Sequence, residues 1–171
     1  MNSEMLLEPE LAPSSSRQWG RSGKFLTFVL GGEEYGLDIT RVKEIIGGME
    51  ITSIPKAPGF IKGVINLRGK IIPVVDLRLK FGMPEAAHTR ETVFIVVEVA
   101  GSLVGVVVDH VREVLDIKGS EIEPPPHLGA SLETGFILGM GKVAGRVNIL
   151  LDIGSVLSHE EASALKTIAN A

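Results

Sequence analysis

The chain has 171 residues, 44% of them hydrophobic, which suffices for one ordinary core or two small ones packed together. Its formal net charge of −4 argues against a general binder of phosphate backbones, and one Trp and one Tyr leave little for base stacking. Cysteine is absent, which excludes disulfides, thiolate zinc sites and thiol nucleophiles.

No apolar run approaches membrane-span length, and the N-terminus lacks a basic region followed by a sustained apolar one. The expectation is a soluble, cytoplasmic protein. Residues 1–22 read as a flexible tail, because Pro9, Pro13 and three consecutive serines from Ser14 oppose regular structure. Met5, Leu6, Leu7 and Trp19 are the residues of that tail able to dock elsewhere.

Folded sequence begins near Lys24. Phe25, Phe28 and Leu30 suit a strand, Gly31-Gly32 a turn, and Glu33 to Leu37 the return strand. Asp38 is placed to cap a short helix through Ile39, Val42 and Ile45. Two strands follow, Gly63 to Leu67 and Ile71 to Val75, with Arg68-Gly69-Lys70 as a tight polar turn between them. Asp76 to Phe81 predicts a short helix stopped by Gly82. A second β-rich block has strands over Val93 to Val99 and Leu103 to Val108, with Gly101-Ser102 as their turn. Asp109 to Asp116 suits a short amphipathic helix or a bent strand, and Pro124-Pro125-Pro126 a stiff extended connector. Gly135 to Leu138 and Val147 to Leu151 flank a glycine-rich turn over Gly139 to Gly145. Ser158 and Glu161 form a capping-box pattern, which predicts a C-terminal helix from His159 to about Ile168.

The two blocks resemble each other. At an offset of 69 residues Gly36 meets Gly105, Val42 meets Val111, Lys43 meets Arg112, Glu44 meets Glu113 and Ile45 meets Val114. Later Gly63 falls beside Gly135, and the run from Lys70 to Asp76 beside that from Arg146 to Asp152. This implies two similar β units, and short strands with frequent glycine turns suit small barrels that hide their sheet edges by closure. A groove between two such units is a natural docking site.

Catalytic patterns are missing. His88, His110, His127 and His159 are widely spaced and form no metal motif. Gly139-Met140-Gly141 with Gly145 has the wrong spacing for a dinucleotide loop, and a strand rather than a helix follows. No catalytic residue, cofactor site or metal site is expected. A nucleic-acid-binding barrel would need a basic, aromatic face, which the sequence does not offer.

The segments EEYGLDI (Glu33 to Ile39), VKEI (Val42 to Ile45), FIKGVINLRGKIIPVVDLR (Phe60 to Arg78) and VGVVVDHVREVL (Val104 to Leu115), with the pattern from Gly135 to Asp152, resemble the CheW family of chemotaxis coupling proteins. The resemblance implies a mainly β fold of two tandem SH3-like five-stranded barrels with short helices. On this reading residues 23–158 form one CheW-like domain, with lobes of about 23–88 and 89–158, and residues 159–171 a C-terminal helix packed on it. It implies a non-enzymatic adaptor joining methyl-accepting chemoreceptors to the regulatory domain of the histidine kinase CheA, at receptor arrays under the inner membrane. Self-association in rings is a further implied partner mode, while nucleic acid and direct membrane insertion are not expected. The alternative is a coupling protein of a non-flagellar chemosensory pathway controlling twitching, development or second-messenger output. By the same resemblance the receptor contact lies at the inter-barrel groove and involves Val42, Gly63, Leu67, Arg68, Gly69, Val93 and Val114, with Glu44 in kinase binding and assembly. Val42, Val93 and Val114 equally suit a β core, and Gly63 close strand packing. Arg68 stands apart, because the second copy of the repeat has no arginine in the corresponding turn. Glu44 and Arg68 are expected to approach each other at the groove mouth.

Overall fold

A computed structural model describes residues 22–125 and 135–169. The expected tail, apart from Ser22, lies outside the described residues, as do Pro126 and His127. The first repeat comprises β1 (Gly23–Leu30), β2 (Glu33–Asp38), β3 (Val42–Gly47), β4 (Ile61–Leu67), β5 (Lys70–Asp76) and the helical turn α1 (Leu77–Lys80). The second comprises β6 (Val93–Val99), β7 (Ser102–Val108), β8 (His110–Ile117), the short β9 (Ile122–Glu123), β10 (Ile137–Val143), β11 (Arg146–Leu151) and α2 (Ile153–Val156). Helix α3 (His159–Ala169) follows.

The two repeats exchange halves in space. One sheet runs β8-β1-β2-β11-β10-β9 and the other β3-β6-β7-β5-β4. The sheets therefore do not divide at residue 88, since each takes strands from both sides of it. Each pairing in one sheet has its counterpart in the other. Antiparallel β1–β8 matches β6–β3, and parallel β2–β11 matches β7–β5. Gly36 opposes Leu150 in one parallel pair, and the aligned Gly105 opposes Val74 in the other. Even the two-residue β9 has an equivalent, an isolated bridge between Thr52 and Val64. The fold is the pair of SH3-like barrels that the family resemblance implies.

Strand alternation explains where the core sits. Leu26, Phe28 and Leu30 of β1 and their counterparts Ile95, Val97 and Val99 of β6 join one large buried cluster shared by both sheets. Phe25 and Phe94 face the opposite way, into two small interiors, one per barrel. Neither small interior would hold a barrel alone, so the two units depend on the shared core. Helix α3 packs on β5 and β7, with Leu165 buried and Ala162 and Ile168 against the same cluster. The expected capping box forms: the Ser158 N–H donates to Glu161 Oε1 and the Glu161 N–H to Ser158 Oγ.

Three local expectations are corrected and one alternative is resolved. Asp38 does cap, its carboxylate accepting from the Thr40 N–H, but only a single 3-10 turn follows. The segment expected to continue as helix is strand β3, because β-branched Val42, Ile45 and Ile46 pair with β6. Of the two options for Asp109 to Asp116, the strand is adopted, with a register break opposite Thr27/Phe28. Gly139 and Gly141 lie within β10 rather than in a long turn, and the corner is only Ala144-Gly145. Gly141 leaves room for Ile117, whose Cδ1 would lie 3.2 Å from a Cβ added there. The register also makes Gly139, not Gly135, the partner of Gly63: each follows a break in its strand and opposes Leu150 or Val74.

One core position breaks the pattern. Asn148 of β11 is fully buried, and neither of its amide heteroatoms has a hydrogen-bond partner among the described residues. Its counterpart in the other barrel is the buried Ile72. Asn148→Val should stabilise the fold by about 1–2 kcal/mol, since an unpartnered buried amide costs about that much. Thermal unfolding checks this, and a lowered melting temperature would show that the amide has a stabilising partner.

Candidate partner-docking surfaces

The corner between β4 and β5 presents Arg68. It is a two-residue turn with both residues at positive φ, +52° for Arg68 and +88° for Gly69. Such mirror-image turns match the twist of hairpin strands. The Asn66 carboxamide oxygen accepts from the Gly69 N–H at 2.8 Å and braces it. The same corner recurs at Gly31-Gly32, Ala100-Gly101 and Ala144-Gly145. Ala144 is the direct counterpart of Arg68, so the turn itself has no need of a guanidinium.

Glu44 projects from β3, an edge strand, toward that corner. Arg68 Nη1 donates to Glu44 Oε2 at 2.9 Å and Nη2 to Oε1 at 2.6 Å, the forked geometry of a paired guanidinium and carboxylate. The expected approach of these two charges is thus present as direct contact. Hydrogen bonding from Arg68 holds the Glu44 carboxyl below its ordinary range. The Arg68 side chain remains 69% exposed, so the pair contributes orientation more than stability.

The other barrel carries an equivalent face. There Glu113, the counterpart of Glu44, pairs with Arg146 at 3.3 Å, the arginine having moved from the corner to the first residue of β11. Arg146 is shared with Glu34, which Arg112 also contacts at 2.7 Å. The exposed aliphatics match as well: Ile45 and Ile71 on one barrel occupy the positions of Val114 and Val147 on the other, each 43–49% exposed. Exposed aliphatics beside a charged pair, at symmetric places, are unusual for a surface with no partner.

The remaining candidate residues scatter. Leu67 and Gly69 flank Arg68 in the chain, Leu67 packing against the small interior of its barrel and Gly69 exposed at the corner. Val42 and Val93 are half-buried against the shared core. Gly63 is buried, with φ +145°, and a Cβ there would lie 2.1 Å from Thr52 O. Val114 is exposed on the opposite barrel. None of these eight residues lines the groove between β2, β10 and β11 and the segment after α1. That groove, of about 370 Å³, is lined by Tyr35, Phe81, Met83, Phe136, Ile137 and Ile149, with Lys80 at its rim. Tyr35, Phe81 and Phe136 stack in series along it, and the buried Phe28 stacks behind Tyr35. Burial and the neighbouring Glu33 charge raise the Tyr35 phenol pKa. The equivalent surface on the other barrel, over β5 and β7, is the one α3 covers.

Ile45, Ile71, Val147, the Glu113–Arg146 pair and the groove aromatics were not singled out from sequence. The repeat held the signal for the first three, because their positions align across it. Among the described residues no group of three His, Asp or Glu side chains could hold a metal ion, and no helix is long and apolar enough to cross a membrane.

Comparison with known proteins agrees with this architecture. A family model described as the CheW-like domain matches residues 24–161. The chemotaxis protein CheW of Klebsiella aerogenes is 43% identical over 146 residues, spanning 85% of this chain and 88% of that protein. Protein FrzA of Myxococcus xanthus is 34% identical over 131 residues, spanning 74% of this chain and 81% of that one. The crystal structure of the scaffolding protein TtCheW from Thermoanaerobacter tengcongensis matches with a TM-score of 0.74 at 38% identity, covering 82% of this chain and 96% of that one. With two SH3-like barrels, this repeat and this extent of similarity, the chain belongs to the CheW family.

Proposed function

We propose that the chain is a non-enzymatic adaptor that couples methyl-accepting chemoreceptors to the histidine kinase CheA, working in the cytoplasm at receptor arrays. The observation that carries this reading is the matched pair of faces: Glu44–Arg68 with Ile45 and Ile71 on one barrel, Glu113–Arg146 with Val114 and Val147 on the other. A link between two neighbours needs two binding faces, and a chain alternating with kinase domains of like fold needs them in equivalent places. Glu44 contributes to the kinase-facing side. Arg68, with Leu67 and Gly69, contributes to receptor contact, and a receptor group that takes Arg68 must outcompete Glu44 for it. Val42, Gly63 and Val93 influence binding through the fold that holds these faces. The aromatic groove supplies the apolar part of receptor docking, and its shape suits an amphipathic helix, as α3 occupies the equivalent surface.

The test is a binding titration against the CheA regulatory domain and a receptor cytoplasmic fragment. The chain should bind both. Arg68→Ala should weaken receptor binding by about tenfold or more, as a central arginine of a docking face does, while its melting temperature holds. Binding to neither partner would refute the adaptor reading. The likeness to FrzA is compatible with service in a non-flagellar pathway, but the higher identity and fuller coverage of the Klebsiella protein favour chemotaxis.

A further inference from the structure

The groove of Tyr35, Phe81, Phe136, Ile137 and Ile149 has a twin. The offset of 76 residues that relates Gly63 to Gly139 relates Phe60 to Phe136, Ile61 to Ile137, Pro73 to Ile149 and Phe81 to Leu157. The offset of 69 relates Tyr35 to Val104. The twin positions share their backbone bonding: the Asp76 N–H donates to Phe60 O at 2.8 Å, and the Asp152 N–H to Phe136 O at 2.7 Å. Lys80 and Val156 are counterparts of each other, and both line the first groove. Lys80 also lies over the Phe60 ring, 5.0 Å from its centroid, so it borders the twin as well.

The twin is occupied. Helix α3 packs on β5 and β7, the strands that carry Pro73 and Val104. Ile61, Pro73, Val104 and Leu157 are accordingly buried, whereas Ile137, Ile149 and Phe81 are only half-buried in the first groove. Helix α3 has the pattern of a docked amphipathic helix. Ala162, Leu165 and Ile168, three residues apart, pack against the shared core, while Glu160, Ser163, Lys166 and Thr167 are exposed. Its first turn is latched by Glu161, whose two carboxylate oxygens accept from Lys80 Nζ at 2.7 and 2.8 Å. A helix of 11 residues is marginal alone, so α3 persists through this packing and this latch.

We propose that the surface beneath α3 is a second docking groove for a partner helix of the receptor kind, and that α3 is its resident occupant, displaced when the partner binds. This rests on the reading of the first groove as a receptor-docking surface. The two floors are built from equivalent positions of equivalent strands, so a helix shaped for one has the shape for the other. What α3 presents defines what replaces it. The partner helix carries aliphatic side chains at three-residue spacing, and an acid one position before the first of them takes Lys80 from Glu161. Opening is local, because releasing α3 breaks no strand pairing in either sheet.

The chain has no cysteine, so Lys166→Cys gives a single labelling site on the exposed face of α3. Leu165→Glu puts a charge beneath α3 and should release it. The release is read as increased mobility of a nitroxide at position 166, while the barrels keep a cooperative melting transition. Wild type should take up one receptor cytoplasmic fragment per chain, and Leu165→Glu two. Ile137→Glu, which puts a charge in the first groove, should weaken receptor binding by about tenfold or more. Adding Leu165→Glu to it should restore binding to within a few-fold of wild type. Glu161→Lys turns the attraction of Lys80 into repulsion and leaves the apolar stripe intact. It should give the same gains, and it takes the place of Leu165→Glu should that variant not fold. A released α3 with neither a second site nor rescue of Ile137→Glu would overturn the proposal while leaving the receptor reading in place. Wild type that takes up no fragment would refute that reading, and the second groove as a receptor site with it.

Discussion

Gly63→Ala should destabilise the domain far more than the same substitution at Gly69. Gly63 sits at φ +145°, where a side chain is strained whatever space surrounds it, and an added Cβ would lie 2.1 Å from Thr52 O and 2.9 Å from Ile51 Cγ2. Relief requires moving the Ile51–Thr52 backbone, which breaks two hydrogen bonds: Thr52 N–H to Val64 O at 2.8 Å and Val64 N–H to Thr52 O at 2.9 Å. Strain and lost pairing together should cost about 4 kcal/mol. For a chain of this length that corresponds to a fall in melting temperature of roughly 8–16 °C. Gly69→Ala is the control. Its φ of +88° is also positive, but nothing lies within 4 Å of the added Cβ, so the loss should be only about 1–2 kcal/mol. Equal losses in the two variants would show that φ alone, and not the approach of Thr52, sets the cost.

Asp109→Ala should have the next largest effect. Asp109 stands where the chain crosses from β7 in one sheet to β8 in the other. Its carboxylate accepts from Arg78 Nε and Nη2, both at 2.9 Å, and from the Gly31 N–H at 2.9 Å. Arg78 in turn donates to Pro84 O, so one carboxylate ties the β1–β2 corner, α1 and the crossover together. Both side chains are mostly buried. Removing the acid strands the guanidinium and the Gly31 N–H, at a cost of about 2–3 kcal/mol after discounting for partial exposure. Hydrogen bonding from Arg78 lowers the Asp109 pKa in the folded chain. A depressed folded pKa means that the contribution is complete above the ordinary aspartate value near 4 and is lost as pH falls through the lower folded value. Urea unfolding at pH 7 should therefore show the full difference between wild type and variant. The difference should shrink steadily in titrations begun below about pH 4. A gap that stayed constant down to pH 2 would mean that the carboxylate charge is not what holds the clasp.

The local elements were largely legible, because their signals act over a few residues. Valine and isoleucine runs ended at glycine corners, Asp76 capped α1, and Ser158 with Glu161 capped α3. The failures came where a local signal was true but short. Asp38 caps a single turn, and the gain from pairing Ile45 and Ile46 with β6 then outweighs continuing the helix. Strand exchange was not legible at all. The repeat makes each half compatible with either copy, and only the burial of Leu26, Phe28 and Leu30 against their counterparts selects one arrangement. The Glu44–Arg68 contact was legible through opposite charge and through the absence of arginine at Ala144. The groove was not, because Tyr35, Phe81 and Phe136 come from three distant segments that converge only in the folded chain. At Gly63 the structure shows the close packing that its sequence also suited, an added Cβ lying 2.1 Å from Thr52 O.

Whether the two barrels present equivalent docking faces can be decided by the stoichiometry of assembly with the CheA regulatory domain. Sedimentation would follow it for wild type, Ile71→Glu, Val147→Glu and the double variant. Each substitution places a charge on the exposed aliphatic of one face, leaving the buried core untouched. Wild type should form assemblies larger than one-to-one, either variant alone should stop at one-to-one, and the double variant should stay monomeric. Assemblies of unchanged size in both single variants would contradict the claim of two equivalent faces.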